Sequence, residues 1–233
     1  MGVYAVILAG GSGTRMGLAE NKIFLPLRGI PAIVRTIAPF STLCDGIVLV
    51  AKEEEQPQMC EILRKFGLDH LVTSIVCGGD SRQASVASGL AALSDEADIV
   101  LVHDGARCLV TEEVILRVIS SVQQHGSGIA AMPVTDTIKS VAEDLQVHQT
   151  LDRSRLYAMQ TPQGFRTHLL FQAHRHAEAS GFCGTDDAAL LEHAGMPVFL
   201  CAGHAENIKL TTPMDILLAK TILQSRVTQE AEL

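Results

Sequence analysis

Tyr4-Ala5-Val6-Ile7-Leu8-Ala9-Gly10-Gly11-Ser12-Gly13-Thr14-Arg15-Met16-Gly17, with Lys22 following, is the stretch whose reading decides the fold. An unbroken apolar run suited to a buried parallel strand empties directly into a glycine-dense loop. Glycine lets backbone N–H groups close on an anion and accepts positive φ without a Cβ clash. Arg15 inside the loop and Lys22 beyond it add two cations, a combination suited to a ligand with several negative charges. The stretch therefore reads as a loop wrapped around a nucleoside triphosphate. The plainer alternative is a tight strand-to-helix turn with Arg15 in solvent. Two common phosphate loops are excluded. Counted from Gly11, the dinucleotide pattern G-x-G-x-x-G needs glycine where Met16 stands, and no Gly-Lys-Ser/Thr completes a P-loop.

Outward from this loop, strand and helix patterns alternate through the first two thirds of the chain. Apolar runs predict strands at 46–51, 72–76, 98–103 and 129–134. Between them fall helical patterns. One starts at Pro31 and runs to about 40; a second spans 58–66, with Met59, Ile62, Leu63 and Phe66 on one face. A third covers 81–93, and a fourth begins after Thr111, a suitable N-cap followed by Glu112 and Glu113 at the positive helix end. This order predicts an α/β fold with a doubly wound, mainly parallel sheet. In such sheets ligands sit beyond the carboxyl ends of the strands. Three polar clusters follow strands at once, at 10–17, 78–82 and 103–107, which places anion-friendly loops along one edge.

The pattern then changes. Residues 137–141 and 147–151 read as two short strands joined by a polar turn, either an ordinary edge hairpin or a projecting arm. Helices follow at 167–179 and 185–194, with a strand at 198–201 and a short strand at 207–210. Thr212-Pro213-Met214-Asp215 starts a last helix that runs to about 224, ahead of a frayed polar tail.

The 233 residues fit one α/β domain. Hydrophobic residues make up 47% of the chain and aromatics only 4%, so the core must be aliphatic and there is little surface for stacking bases. A formal charge of −8 argues against a nucleic-acid or anionic-membrane footprint, while leaving room for an anionic small molecule at clustered cations. Six scattered cysteines without C-x-x-C read as free thiols rather than a zinc site. No apolar run approaches the roughly 20 residues of a membrane helix, and no secretory signal pattern opens the chain, so a soluble cytoplasmic protein is expected.

Asp104 ends a hydrophobic strand and precedes a glycine. A lone carboxylate there suits Mg²⁺ shared with phosphate oxygens, or else a plain turn; both readings stand. Asp186 and Asp187 read better as a helix start than as a site. The candidate cations are Arg15, Lys22, Arg82, Arg107, Lys139, Arg153 and Lys209, of which Lys209 is set in an apolar context. His103 suits either a general base or, more commonly, a structural hydrogen-bonding role. No histidine has ligand spacing, and there is no nucleophile elbow. A triphosphate loop, a carboxylate and dispersed cations suggest nucleotidyl or phosphoryl transfer, where positioning and charge neutralisation do most of the work.

Seven ordered motifs resemble the 2-C-methyl-D-erythritol 4-phosphate cytidylyltransferase family of non-mevalonate isoprenoid synthesis, nearly end to end. They are Ala9 to Met16 with Lys22; Gly78-Gly79-Asp80-Ser81-Arg82 with Ser85; Val102-His103-Asp104-Gly105-Ala106-Arg107; Pro133-Val134-Thr135-Asp136-Thr137-Ile138-Lys139; Gln160-Thr161-Pro162-Gln163-Gly164-Phe165; Thr185-Asp186-Asp187-Ala188; and Glu206-Asn207-Ile208-Lys209-Leu210-Thr211-Thr212-Pro213. The resemblance implies a Rossmann-like nucleotidyltransferase fold that joins CTP to a polyol phosphate with Mg²⁺ or another divalent cation. It implies that Arg15, Lys22 and Lys209 are catalytic, and that Ala9, Gly10, Gly11, Gly13 and Thr14 hold the triphosphate. Gly79, Asp80 and Ser85 would read cytosine and ribose. Asp104 would serve the substrate or metal side, and Arg107, Thr137, Arg153 and Thr161 the polyol phosphate. Residues 136–153 would form an arm exchanged across a homodimer, so that Thr137 and Arg153 act in trans. No general base is required, because the attacking phosphate is already anionic. Ribitol-5-phosphate cytidylyltransferase and a nucleotide-binding module without catalysis are the rival readings. Two departures from the family pattern concern loop geometry: Asn21 stands where the family usually has proline, which would loosen the approach to Lys22, and Cys108 replaces another proline.

Overall fold

The computed structural model describes residues 1–11 and 21–231. The first half of the chain forms β1 (Gly2–Leu8), the two-residue strands β2 (Pro26–Leu27) and β3 (Ile30–Pro31), α1 (Ala32–Ile37), β4 (Gly46–Ala51) and α2 (Gln56–Lys65). Then come β5 (Val72–Cys77), α3 (Arg82–Ala91), β6 (Ala97–Asp104), α4 (Glu112–His125) and β7 (Ser127–Pro133). The second half holds β8 (Lys139–Val141), β9 (Val147–Thr150), β10 (Tyr157–Arg166), α5 (Thr167–Ser180), α6 (Asp187–His193), β11 (Leu200–Ala202) and α7 (Pro213–Ala231).

Among the described residues a seven-stranded sheet has the order β11-β7-β10-β6-β1-β4-β5. β1 pairs in parallel with both β4 and β6, and β10 runs antiparallel between β6 and β7. The chain winds from β1 to β4 and β5 on one side, then returns to β6 on the other. That reversal creates the switch point beside β1 where a crevice opens at the strand ends. The strands alternate strictly between two cores. Ala5, Ile7, Ile47, Leu49, Ile99 and Leu101 pack with α1, α2 and α4 on one face. Val6, Val48, Val50, Val100 and Val102 pack with α3, α5 and α6 on the other. Burial on both faces explains why these strands read as continuous apolar runs.

The doubly wound, mainly parallel sheet is as expected, and the differences have physical causes. β10 is a strand that no sequence pattern announces. Its middle, Gln160-Thr161-Pro162-Gln163-Gly164, lacks apolar alternation, and its pairing with β7 shifts register between Met159 and Gln163. Gln163 is nevertheless buried: its side-chain oxygen accepts from the Asp187 and Ala188 amides, and its Nε2 donates to Asp186 at 2.7 Å. Residues 207–210 are not a strand. Leu210 N donates to Ala106 O at 2.9 Å, but the buried Asn207 side chain donates to Thr161 O and Lys209 reaches the Asp104 carboxylate. The first helix starts after Pro31 and tightens into a 3₁₀ turn at Ala38–Phe40, and the last helix continues to Ala231 rather than fraying near 224. Among the described residues β8 and β9 pair only with each other, so 136–153 holds a two-stranded hairpin separate from the main sheet.

Candidate active site

The carboxyl ends of β1, β4, β5 and β6 open into one cavity of about 700 Å³. The end of β1 and the loop after it contribute Leu8 through Gly11, and the segment after β4 contributes Lys52 and Glu53. The turn after β5 brings Gly78, Gly79, Asp80, Ser81 and Arg82, with Ser85 one turn into α3. Asp104 and Ala106 come from the end of β6, Lys22 from a 3₁₀ turn over Lys22–Phe24, and Lys209 from the segment before α7. Nine of the predicted site residues thus line one space: Ala9, Gly10, Gly11, Lys22, Gly79, Asp80, Ser85, Asp104 and Lys209. Gly13, Thr14 and Arg15 lie outside the described residues.

The glycines of the two loops have different physical reasons. A Cβ on Gly79 would lie 2.5 Å from Ala84 Cβ, so glycine is needed for the turn to close against α3. A Cβ on Gly10 would meet no described atom nearer than 3.8 Å, and one on Gly11 none within 4 Å. Among the described residues, a side chain at Gly10 would make only ordinary contact with the backbone of Ala51 and Lys52, and one at Gly11 would make none, so this backbone allows close approach of a ligand.

Asp104 organises the floor. Its Oδ2 lies 2.8 Å from Lys209 Nζ and 3.7 Å from Arg107 Nε, and its Oδ1 lies 3.9 Å from Arg82 Nε. Burial pushes the carboxyl pKa up, but Lys209, Arg82 and Arg107 outweigh it and hold it below its ordinary value. Arg82 continues away from the cavity, with Nη2 2.7 Å from Asp187 Oδ2 at the start of α6. Burial disfavours the guanidinium charge, yet Asp187, then Asp104 and Asp186, keep its pKa above the ordinary value. The Asp187 carboxyl has no exposure to speak of, and burial raises its pKa despite Arg82. His174 stands 3.9 Å from Asp187 Oδ1, and burial, with Arg82 beside it, pushes its pKa down to about 4. Asp186 is the expected helix cap, accepting from Ala189 N at 3.0 Å. Asp187 is instead the buried end of a charge bridge that reaches Asp104 through Arg82, a pairing no local motif announces.

Behind Asp104 runs a buried hydrogen-bond chain. The Asp104 amide donates to Thr161 Oγ1 at 3.0 Å, and Thr161 Oγ1 lies 3.1 Å from His103 Nδ1. His103 Nε2 lies 3.2 Å from the Arg107 carbonyl. A carbonyl only accepts, so Nε2 carries the proton and Nδ1 accepts from the threonine hydroxyl. The ring is neutral, because burial pushes its pKa down to about 4. His103 is therefore a structural residue, and Thr161, 5% exposed, has its hydroxyl engaged beneath the floor. Arg107 turns away from the cavity: its Nη1 donates to Asn207 O at 2.7 Å and Nη2 to Met159 O at 3.4 Å. Thr137 and Arg153 are exposed at the base of the hairpin, away from the cavity residues of their own chain, and Arg153 Nη1 donates to Thr135 O at 2.7 Å.

Of the two departures, Asn21 behaves differently from expectation. Asn21 is buried rather than loose, and its side chain is hydrogen-bonded at both ends. Cys108 is buried among Leu27, Ala32, Leu109, Leu210 and Leu223, and burial pushes its thiol up to about 11. All six cysteines are free thiols, and among the described residues no three carboxylate, imidazole or thiolate groups converge as a metal cluster. No helix among the described residues is long and apolar enough to cross a membrane.

Comparison with known proteins fits this geometry. A family model described as 2-C-methyl-D-erythritol 4-phosphate cytidylyltransferase matches residues 3–225. A protein of that name from Geobacillus kaustophilus is 45% identical over 98% of this chain and 100% of its own. One from Bacillus licheniformis is 43% identical over 99% of each chain. The solved structure of a 4-diphosphocytidyl-2C-methyl-D-erythritol synthase from Anaerococcus prevotii superposes with a TM-score of 0.84 at 31% identity, covering 95% of this chain and 98% of that one. The structure of the Thermus thermophilus 2-C-methyl-D-erythritol 4-phosphate cytidylyltransferase gives 0.79 at 32% identity, covering 96% and 100%.

Proposed function

The chain belongs to the 2-C-methyl-D-erythritol 4-phosphate cytidylyltransferase family, and from that premise we propose how its strand-end cavity does the family's chemistry. The enzyme joins CTP and 2-C-methyl-D-erythritol 4-phosphate into 4-diphosphocytidyl-2-C-methyl-D-erythritol and releases pyrophosphate. The observation that carries the site assignment is the convergence of Lys22, Lys209 and the backbone of Gly10 and Gly11 on one cavity floored by Asp104.

The substrate phosphate oxygen attacks the α-phosphorus of CTP in line, and the pyrophosphate oxygen leaves. The nucleophile is already an anion, so the barrier is the approach of two anions and the charge that accumulates at phosphorus. Arg15 and Lys22 would neutralise the triphosphate, with Ala9, Gly10, Gly11, Gly13 and Thr14 supplying the loop. Lys209, held by Asp104, would meet the α-phosphate and the incoming phosphate. Gly79, Asp80 and Ser85 would face cytosine and ribose. The Ser85 hydroxyl lies 3.2 Å from the Gly79 amide, so base and loop would be read by one local unit. Arg107 and Thr161 would order the polyol side from beneath Asp104. Thr137 and Arg153 would reach the site of a partner subunit through the 136–153 arm.

The donor set fits a divalent ion in one mode. Asp104 is a single carboxylate, which Mg²⁺ accepts when phosphate oxygens and water complete its shell. Asp104 would hold such an ion while also facing Lys209, Arg82 and Arg107. Such an ion would withdraw charge from the triphosphate.

Pyrophosphate release from CTP with each of two acceptors, methylerythritol phosphate and ribitol 5-phosphate, tests the reading. Turnover with the first is expected. Turnover with ribitol phosphate alone would replace the substrate assignment, and tight CTP binding without turnover of either would replace catalysis by binding.

A further inference from the structure

We infer that Asn21 is a positioning residue for Lys22, tying the turn that carries this lysine to the end of β1 and to the segment after β4. Asn21 is 7% exposed, an unusual depth for an amide beside a ligand cavity. Its Nδ2 donates to Ala9 O at 2.8 Å and to the Glu55 carboxylate, at 3.1 Å from each oxygen. Its Oδ1 accepts from Ile23 N at 3.3 Å and so caps the 3₁₀ turn Lys22–Phe24. The partners fix the amide orientation, since a flip would set oxygen against oxygen at Ala9 and Glu55 and N–H against N–H at Ile23.

These contacts join three pieces of the cavity wall. Ala9 is the last buried residue of the first strand's exit and is itself held by its amide on Val50 O at 2.7 Å. Glu55 ends the 3₁₀ turn Glu53–Glu55, which follows β4 and carries Glu53 into the cavity lining. Lys22 is the next residue after the brace, so any slack at Asn21 is transmitted directly to the origin of its side chain. The backbone at Asn21 has φ −64° and ψ 127°, within the range that a proline ring imposes. The chain thus holds by side-chain hydrogen bonds a backbone geometry that a proline would hold covalently. The brace also ties the turn to its neighbours, which a ring by itself does not.

The inference rests on the proposed role of Lys22, and a double-mutant cycle separates the two. Asn21→Ala, Lys22→Ala and the double variant are compared by kcat and KM for CTP, with CTP Kd by calorimetry to complete the cycle where turnover is too slow. Asn21→Ala is expected to lower kcat/KM roughly ten- to a hundredfold, the order produced by small misplacements of a catalytic group. The same substitution should cost less than about threefold when Lys22 is already alanine, because a residue acting through another has nothing left to position. Glu55→Ala removes one strut from the outside. It should give a smaller loss with the same non-additivity, and it keeps the cycle available if Asn21→Ala folds poorly. Near-normal turnover of Lys22→Ala would overturn the role of Lys22. An inactive Lys22→Ala combined with equal losses from Asn21→Ala and Glu55→Ala in both backgrounds would overturn the positioning role alone.

Discussion

Lys209 Nζ lies 2.8 Å from Asp104 Oδ2, so the cation assigned to the α-phosphate is aimed from the cavity rim by a carboxylate in its floor. The lysine side chain is 41% exposed and the aspartate 11%. Contact is therefore open to an anion on one side and anchored on the other. Lys209→Met should keep the fold and lower kcat by roughly two to three orders of magnitude, the scale of losing one electrostatic donor to a transition state. The pH dependence follows from the direction of the Asp104 shift. Its folded pKa lies below the ordinary 3.8, so pairing adds stability above that value and loses it as pH falls through the folded pKa. With Lys209 gone, melting temperatures measured from pH 6 down to pH 3 should show a flatter acid decline than the parent. A parallel decline in both proteins would remove this pair from the acid response.

Arg82 makes the opposite prediction for Asp187. Burial raises the Asp187 pKa, so the folded state binds a proton more readily than the unfolded chain, and stability falls as pH rises through that window. Arg82 opposes the shift. Arg82→Ala strips the cation from a carboxylate whose side chain is 1% exposed, and should destabilise the fold by about 3–5 kcal/mol near neutral pH. The deficit should shrink on acidification, as Asp187 takes up a proton. Arg82→Ala with Asp187→Asn should recover part of the loss at pH 7. Urea midpoints at pH 5 and 7.5 check both points, and an equal deficit at the two pH values would count against a charge origin.

Sequence reading reached the sheet because β1, β4, β5, β6 and β7 are apolar runs of strand length. The cavity is legible because Gly10 and Gly79 directly follow apolar strands and Asp104 ends one. β10 is hidden in the sequence because the polar groups of Gln160, Thr161 and Gln163 are satisfied by partners distant in the chain: His204, His103 and the start of α6. Residues 207–210 resemble a strand because Ile208 and Leu210 alternate, although both pack toward α7. Asp187 reads as a plain helix start because nothing local reveals Arg82 across the fold. Asn21 looked like a loss of rigidity because a missing ring is visible in a sequence and a hydrogen-bond brace is not.

Gly10→Ala isolates the loop from the fold. The added methyl would find no described atom nearer than 3.8 Å, so the melting temperature should change little. The same methyl would occupy the surface proposed for the triphosphate, and CTP Kd should rise roughly tenfold or more, about 1.4 kcal/mol per decade. Unchanged CTP affinity in a folded Gly10→Ala protein would move the triphosphate elsewhere.

The arm makes the most demanding prediction. Val141, Leu145 and Val147 on the hairpin are 47%, 79% and 54% exposed, with Tyr157 at 45% near its base, an apolar surface suited to a second subunit. Thr137 and Arg153 lie on this element rather than in their own chain's cavity. If the arm is exchanged in a symmetric dimer, each site combines one subunit's Lys22 with the other's Arg153. Mixed dimers of a Lys22→Ala chain and an Arg153→Ala chain then hold one intact site and one doubly damaged site. Random exchange of equal amounts should return about a quarter of the parent activity from two nearly inactive preparations, since half the dimers are mixed and each has one good site. The protein should sediment as a dimer, and replacing Val141 and Val147 by Asp should yield monomers with little turnover. Confirmed mixed dimers without recovered activity would show that each chain completes its own site.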